Sequence, residues 1–253
     1  MRVSVAGIGS TRFGRHEGAT PQALAIAAAR DAILDSGIDR GEIGALYLGN
    51  FVSGVLTGQE VLAGLVADGL NVQGIPATKV EGACASGGIA FRHAVMAVAS
   101  GQVRVALAVG VECMTGADTT RVTGALNCAM DNTTDGAAGL TYPGLFGLVW
   151  QAHAARHGTG RDDVSAVVVK NKRNGLRNPL ASMGATLTVD EVSAARPIAD
   201  PIRLFDCCGI SDGAAAVVVT AADRLSGHPG PRIDILAAAQ SSAAVATDGV
   251  DSI

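Results

Sequence analysis

The sequence predicts an α/β fold: a five-stranded sheet, mixed or parallel, with helices on both of its faces. The main evidence is that short runs of β-branched and aliphatic residues alternate with longer segments of helical periodicity. Composition agrees, because alanine, valine and glycine are abundant and aromatic residues make up 3% of the chain, which favours helices packed closely on a sheet. The 253 residues suffice for one large domain or two small ones.

Five core strands and one further strand are expected. The core strands cover residues 2–8, 45–48, 77–80, 103–109 and 214–220. Helical segments separate the first four strands, which implies right-handed crossovers and parallel pairing. The further strand, at 232–236, follows a turn and begins something that the sequence does not finish.

Three helices alternate with the first strands. The first covers 21–36, with Thr20 as its N-cap, a proline at its first position and Gly37 directly after its end. Apolar residues at helical spacing over 61–70 predict the second. The third follows Cys84.

The regular alternation stops after residue 114. Residues 115–147 are rich in Thr, Gly, Asn and Asp, and two helical stretches follow at 148–156 and 162–171. A loop excursion of this length in a compact domain is usually functional. We therefore expect an insertion between two core strands.

Charge and hydropathy exclude several classes of protein. The net charge is −4 and no basic cluster is present, so a nucleic-acid partner is not expected. No apolar run reaches transmembrane length, and the N-terminus leads into the first strand without a signal-peptide core. These features predict a cytoplasmic protein with no membrane partner.

The five cysteines predict reduced thiols rather than disulfides. Their number is odd, and their spacing, at 84, 113, 128, 207 and 208, is not that of a disulfide framework. The adjacent Cys207 and Cys208 differ from the usual zinc-binding pair, whose members are two residues apart, and no histidine lies nearby. No metal site is expected.

Cys84 is the main candidate for a nucleophile. It lies in the segment Glu-Gly-Ala-Cys-Ala-Ser-Gly-Gly at 81–88, between a predicted strand and a predicted helix. A helix N-terminus favours the thiolate, and its backbone N–H groups can stabilise charge on a carbonyl oxygen. The small residues after Cys84 leave room for a substrate to approach the backbone. The alternative is a buried structural cysteine.

Four stretches in a fixed order carry a family resemblance. They are 81–88, Val-Gly-Val-Glu-Cys-Met at 109–114, Lys-Asn-Lys-Arg-Asn-Gly at 170–175 with Asn-Pro at 178–179, and 199–204 continuing to Ser-Asp-Gly-Ala-Ala at 211–215. Together they resemble the first half of the thiolase superfamily, especially its branch related to the sterol carrier protein X thiolases. The resemblance covers essentially the whole chain.

This resemblance implies a Claisen-type acyltransferase that acts on coenzyme A thioesters. Cys84 would take the acyl group from the thioester, and its backbone N–H would donate to the oxyanion. The insertion would match the family's loop domain, which covers the acyl pocket and holds pantetheine and nucleotide. No permanently bound cofactor is expected, because the coenzyme A thioester is the substrate.

Further candidates lie in the insertion. The pocket-lining candidates are Tyr142, Pro143, Phe146 and Met183, for which ordinary packing is the alternative. Lys170 and Arg173, together with Lys172, could meet coenzyme A phosphates, although a solvated charged face explains them equally well. His153 and His157 match no catalytic position of the family and are expected to be solvated or capping residues.

The chain departs from the family where the activating groups are concerned. The second half of a thiolase supplies an Asn or His to the oxyanion hole, a His in a Gly-His-Pro motif and usually a Cys in a Cys-x-Gly motif. His228 stands in Gly-His-Pro, but it falls in the turn before the strand at 232–236, so we expect a turn residue. Cys207 fits Cys-x-Gly only formally, since it precedes the strand at 214–220.

The sequence therefore predicts the first half of a thiolase. The expected division is a core at 1–114 and 200–230, a loop domain at 115–199, and the start of an incomplete second half at 231–253. Its partners would be acyl-CoA and either a second copy, paired through edge strands, or a complementing second-half chain. Two alternatives stay open: a thiolase-like lyase that cleaves a coenzyme A thioester by retro-aldol chemistry, and a non-catalytic scaffold.

Overall fold

The computed structural model describes residues 1–225 and 233–242, and they fold as two compact units. The core unit contains Met1–Ala117 and Ser211–Ser241. The insertion unit is built on Asp118–Ile210. Over the described ranges, no helix combines the length and the apolar character needed to span a membrane.

The core unit contains a mixed sheet. The strands of the described chain are β1 (Val3–Ser10), β2 (Ala45–Gly49), β3 (Ala77–Val80), β4 (Val105–Glu112), β5 (Pro197–Ala199), β6 (Ile202–Arg203), β7 (Gly213–Ala221) and β8 (Ile233–Asp234). All but β5 and β6 belong to the sheet, in the order β3-β2-β4-β7-β1-β8. β2 is parallel to both of its neighbours, whereas β7 is antiparallel to β4 and β1. The predicted α/β class and all five core strands are confirmed.

The sheet has one strand more than the five expected. β8 pairs antiparallel with β1, where Ser4 lies opposite Asp234 and its hydroxyl donates to the Asp234 carboxylate at 2.5 Å. β8, which lies within the strand predicted at 232–236, thus adds to the existing sheet, because β1 offers it a free edge. His228, predicted to lie in the preceding turn, is outside the described residues.

Helices cover both faces of the sheet. The helices of the described chain are α1 (Pro21–Ser36), α2 (Ser53–Thr57), α3 (Leu62–Gly69), α4 (Ser86–Ala99), α5 (Thr119–Asn127), α6 (Tyr142–His157), α7 (Arg161–Gly175) and α8 (Val189–Ser193). The ends of α1 are as predicted: the Thr20 hydroxyl accepts from Ala23 N–H at 3.1 Å, and Gly37 takes the left-handed φ of 62°.

Residues of β4 alternate between two buried cores. Val105, Leu107 and Val109 pack in the core that includes α1 and α3. Ala106 and Ala108 pack on the opposite face, in the core that includes α4. Strands buried on both faces read as continuous apolar runs, which is why the sequence signal for β4 is strong.

Small residues allow α1 to lie directly on the sheet. Ala28 and Ala32 of α1 are fully buried. Opposite them, a Cβ at Gly7 of β1 would lie 2.4 Å from the Ala32 carbonyl oxygen, and one at Gly9 would lie 2.1 Å from that of Ala28. Any larger residue on β1 would force the helix away from the sheet.

The insertion unit contains more helix than the sequence predicts. α5 lies within the stretch 115–147 that was expected to be irregular, and its N-terminus is capped by Asp118, whose carboxylate accepts from Arg121 N–H at 2.9 Å. α6 begins six residues before the expected start at 148, where Thr141 caps it. Both starts depend on capping residues that stand among many other Thr and Asp residues, so periodicity alone does not reveal them.

Candidate active site

Cys84 lies on the turn that joins β3 to α4. β3 ends at Val80, a 3₁₀ turn covers Ala83–Ala85, and α4 begins at Ser86. Cys84 is the central residue of that turn, and its thiol is exposed. The predicted strand-to-helix position of the cysteine is thus the one observed, whereas a buried cysteine is not.

The turn that carries Cys84 is held in an unfavourable backbone conformation. Ala83 has a φ of 49°, in the left-handed region that non-glycine residues rarely adopt, at a cost of about 1 kcal/mol or more. Glu81 stabilises it, because its carboxylate accepts from Ala83 N–H. Ser86, which is buried, donates to the Ala83 carbonyl at 2.7 Å and accepts from Gly82 N–H at 3.0 Å.

These hydrogen bonds use the peptide groups around Cys84 but not its own N–H. The Ala85 N–H donates to the Gly82 carbonyl at 3.0 Å, and Ala83 N–H is taken by Glu81. Within residues 1–225 and 233–242, no acceptor pairs with Cys84 N–H. A free N–H beside an exposed thiol is suited to receive the negative charge that develops on a carbonyl oxygen during nucleophilic attack.

Three glycines let the start of α4 rest on the ends of the strands. A Cβ at Gly49, the last residue of β2, would lie 2.2 Å from the Ser86 carbonyl oxygen. A Cβ at Gly110 of β4 would lie 3.4 Å from the Cα of Gly87. This close approach sets the position of the Cys84 turn relative to the sheet.

A second polar group lies at the ends of β2 and β4. The Glu112 carboxylate accepts from the backbone N–H groups of Phe51 at 2.5 Å and Val52 at 3.4 Å. Asn50 donates its side-chain amide to the Val111 carbonyl at 2.8 Å. Burial raises the pKa of Glu112 above its ordinary value, against the lowering effect of these donors. The group fixes the loop after β2, a role that sequence reasoning missed although Glu112 stands in a recognised stretch.

Cys113 follows Glu112 and is a very different thiol. It is half-buried, and its Sγ donates to the Ala19 carbonyl at 3.4 Å. Burial, and then the negative charge of Asp212, raise its pKa to about 11. A thiol in this environment stays protonated and is a poor nucleophile.

Asp212 connects three segments that are distant in the sequence. Its fully buried carboxylate accepts from Met114 N–H at 2.7 Å, from Thr115 N–H at 2.7 Å and Thr115 hydroxyl at 2.5 Å, and from His16 N–H at 3.1 Å. Burial opposes ionisation, but these donors outweigh it and hold the pKa of Asp212 below its ordinary value. The Ser-Asp-Gly stretch therefore has a structural role in the core unit.

Two of the four pocket-lining candidates contact each other. Tyr142 and Phe146 lie one turn apart on α6, with ring centroids 6.4 Å apart, and Phe146 is 56% exposed. Pro143, in the first turn of the same helix, is half-buried. Met183 lies elsewhere in the insertion unit, against Gly209, where a Cβ would be 2.1 Å from the methionine methyl group.

The candidates for phosphate contacts, Lys172 included, share a helix. Lys170 and Arg173 lie three residues apart on α7 and are both exposed. Residues at this spacing lie on the same side of a helix, so the two positive charges are presented on one side of α7.

The insertion unit contains a cleft that sequence reasoning did not anticipate. Its volume is about 380 Å³, and it is lined by Trp150, Gln151, Ala154, Arg161, Asp200, Pro201 and Arg203. The Arg161 guanidinium lies 4.9 Å from the centroid of the Trp150 ring and binds both oxygens of Asp206 at 2.7 Å. Since Arg161 is already paired, its first role is to hold α7 against the segment that contains Asp206.

The remaining cysteines show no catalytic arrangement. Cys207 is half-buried, and its Sγ donates to the Arg203 carbonyl at 3.7 Å; burial, followed by Asp206 and Cys208, raises its pKa. Cys208 is exposed. In the part of the chain that the structure describes, no three His, Cys, Asp or Glu side chains form a group that could hold a metal ion.

Comparisons with known proteins agree on one family. The family model described as "Thiolase, N-terminal domain" matches residues 3–223. An acetyl-CoA acetyltransferase of Methanothermobacter thermautotrophicus is 37% identical over 244 residues, which are 96% of this chain and 63% of that protein. The chain thus spans less than two thirds of this relative's length.

Solved structures share the fold. An Ltp2-ChsH2(DUF35) aldolase has a TM-score of 0.75 at 24% identity, over 91% of this chain and 58% of that chain. The Acat5 thiolase from Ascaris suum, in complex with coenzyme A, has a TM-score of 0.72 at 16% identity, over 94% of this chain and 70% of that chain.

Proposed function

Because the chain belongs to the thiolase family, we propose that it provides the nucleophile half of an acyltransferase that acts on acyl-CoA thioesters. The observation that carries this proposal is the Cys84 turn, where an exposed thiol stands beside its own free backbone N–H. The similarity to an acetyl-CoA acetyltransferase supports the same reaction class.

The first chemical step is acyl transfer to Cys84. The thiolate attacks the thioester carbonyl carbon, and the carbonyl oxygen becomes an oxyanion that accepts from Cys84 N–H. Collapse of this intermediate breaks the bond to the sulfur of coenzyme A, which leaves as its thiol once protonated, and the acyl group remains on Cys84. In a thiolase reaction, the α-carbon of a second acyl-CoA then loses a proton to a base and attacks the acyl carbonyl carbon. The new carbon–carbon bond forms as the bond to the Cys84 sulfur breaks, and Cys84 is released as its thiolate.

Activation of the Cys84 thiol requires a base that we assign to another half or chain. The family's activating His belongs to the second half, and this chain spans 63% of its acetyltransferase relative. Cys207 is an unsuitable substitute, because burial raises its pKa. We propose that a complementing second half supplies the base.

We further propose that the insertion unit serves as the family's loop domain, corresponding to residues 115–199. Its aromatic pair, the half-buried Tyr142 and the exposed Phe146, would contact the acyl and pantetheine parts of the substrate, together with Pro143 and Met183. The exposed Lys170 and Arg173 would meet the phosphates of coenzyme A. The coenzyme A complex of the Ascaris suum thiolase makes the same ligand a reasonable choice here.

A partner chain is part of the proposal. Over the described residues β3 pairs only with β2, so its other edge is free for a second copy, as in the family's dimers. Exposed apolar side chains such as Val61, which is 67% exposed, also favour a homo-oligomer or a complementing chain. Five free thiols suit a reducing compartment, and we propose a cytoplasmic location.

Substrate protection of Cys84 tests this function. The chain is treated with iodoacetamide with and without acetyl-CoA, and alkylation of each cysteine is followed by peptide mass spectrometry. We expect acetyl-CoA to slow alkylation of Cys84 but not of Cys128 or Cys208, the other two exposed thiols. Slow alkylation of Cys84 that acetyl-CoA does not slow further would favour a non-catalytic scaffold instead.

The retro-aldol lyase is the second candidate. The structural likeness to an aldolase keeps it in consideration, although at 24% identity that likeness concerns the fold. An exposed Cys84 on a specialised turn favours the acyltransferase, since a lyase needs no covalent acyl intermediate. Acyl mass on Cys84 would decide for the acyltransferase.

A further inference from the structure

Two histidines lie side by side on the surface of α6. His153 and His157 are one helical turn apart, both are exposed, and their ring centroids are 4.6 Å apart at an interplanar angle of 44°. Side chains four residues apart on a helix point to the same side. Sequence reasoning weighed these residues only as solvated, capping or catalytic groups.

The ring of His153 is held in place from one side. Its Nδ1 forms a hydrogen bond with the hydroxyl of Thr159 at 2.9 Å. Thr159 reaches this position because α6 ends at Gly158, whose φ of 71° turns the chain back. When Nδ1 carries the proton of this hydrogen bond, Nε2 holds the lone pair, and this is how metal-binding histidines are usually oriented.

We propose that His153 and His157 together bind a divalent transition metal ion, with Zn²⁺ as the reference ion. Two histidines at this spacing are the pair that the His-Glu-x-x-His motif uses to hold zinc through bonds of about 2.0 Å. With ring centroids 4.6 Å apart, a nitrogen of each ring can reach one shared ion. The C-terminal end of α6 adds favourable partial negative charge for a cation.

The composition of the site predicts binding rather than catalysis. Ala154 follows His153 where the hydrolytic motif has its general-base Glu. Among residues 1–225 and 233–242, no third His, Cys, Asp or Glu joins the pair. Water, or a group from another chain, fills the other coordination positions. This proposal is independent of the acyltransferase function.

Zinc titration of histidine variants tests the site. The 253-residue chain is first treated with iodoacetamide, so that its accessible thiols do not compete, and Zn²⁺ binding is then measured by isothermal titration calorimetry. We expect one bound ion per chain, and at least about 10-fold weaker binding in His153→Gln and in His157→Gln, since each loses one of two ligands. Thr159→Val should weaken binding by about 10-fold through loss of ring orientation.

The control is His16→Gln, because His16 lies in the core unit and its ring bonds the Arg12 carbonyl. It should bind zinc like the native chain. Electron paramagnetic resonance of bound Cu²⁺ should show two imidazole nitrogens in the native chain and one in His157→Gln. Native-like zinc binding by both histidine variants, or no binding by the native chain, would overturn the proposal. Circular dichroism confirms that each variant is folded.

Discussion

Cys84 and Cys113 are both thiols at the carboxyl ends of strands in one sheet, yet their surroundings are opposite. Cys84 follows β3 on an exposed turn, beside a left-handed alanine and a free backbone N–H. Cys113 follows β4, is half-buried and lies near the buried carboxylate of Asp212. The position at a strand end is therefore common to both thiols, and what distinguishes them is burial and the donors and charges nearby.

The two sites also differ in what their hydrogen bonds stabilise. Around Cys84, Glu81 and Ser86 hold a strained turn and leave the thiol accessible. Around Cys113, Asp212 gathers donors from Met114, Thr115 and His16 and stabilises the fold. The first network holds an exposed thiol on a strained turn, and the second holds the core unit together.

The largest expected effect is loss of acyl labelling. Cys84→Ala should abolish the acetyl mass added from acetyl-CoA, because it removes the attacking atom, while Cys113→Ala should leave labelling unchanged. The measurement is intact-protein mass spectrometry, carried out with a complementing second half where one is found. Acetyl mass that persists in Cys84→Ala would refute the assignment of the nucleophile.

Asp212→Asn should destabilise the core unit by about 3 kcal/mol at pH 7. The amide keeps only one acceptor oxygen for donors that now share two, so buried N–H groups lose their partners. Chemical denaturation of both chains measures the difference.

The pH dependence of this difference follows from the low pKa of Asp212. Its stabilising effect is fully present above the ordinary pKa of an aspartate, about 3.9, and is lost as the pH falls from there through the lower folded-state value. The difference in the free energy of unfolding between the native chain and Asp212→Asn should therefore narrow below about pH 4. A gap that widens with acidification would contradict the assignment.

Ser86→Ala should have a smaller effect, about 1 to 2 kcal/mol. It removes one hydroxyl that serves both Gly82 N–H and the Ala83 carbonyl, and so frees the strained turn to relax. Thermal unfolding measures the loss of stability. The alkylation rate of Cys84 should change several-fold, whereas that of Cys113 should not change. Equal changes in rate at both thiols would indicate general unfolding instead.

The sequence predicts those parts of the molecule whose causes are local. The cap of α1 at Thr20 and the position of Cys84 between strand and helix follow from neighbouring residues, and both are observed. The left-handed φ of Ala83 cannot be predicted from the sequence, because alanine rarely adopts this conformation. The role of Asp212 is equally hidden, since its donors, three backbone N–H groups and one hydroxyl, are 97 to 196 residues away.

Relative alkylation rates of the cysteines test the nucleophile assignment most directly. With iodoacetamide at pH 8, a thiol whose pKa is about 11 is ionised to about one part in a thousand, so the half-buried Cys113 should react at least about 10-fold more slowly than the exposed Cys84. Cys128, which is exposed but belongs to no specialised turn, is the reference and should react more slowly than Cys84. Comparable rates at Cys84 and Cys113, or a Cys84 slower than Cys128, would contradict the view that the turn between β3 and α4 prepares a nucleophile.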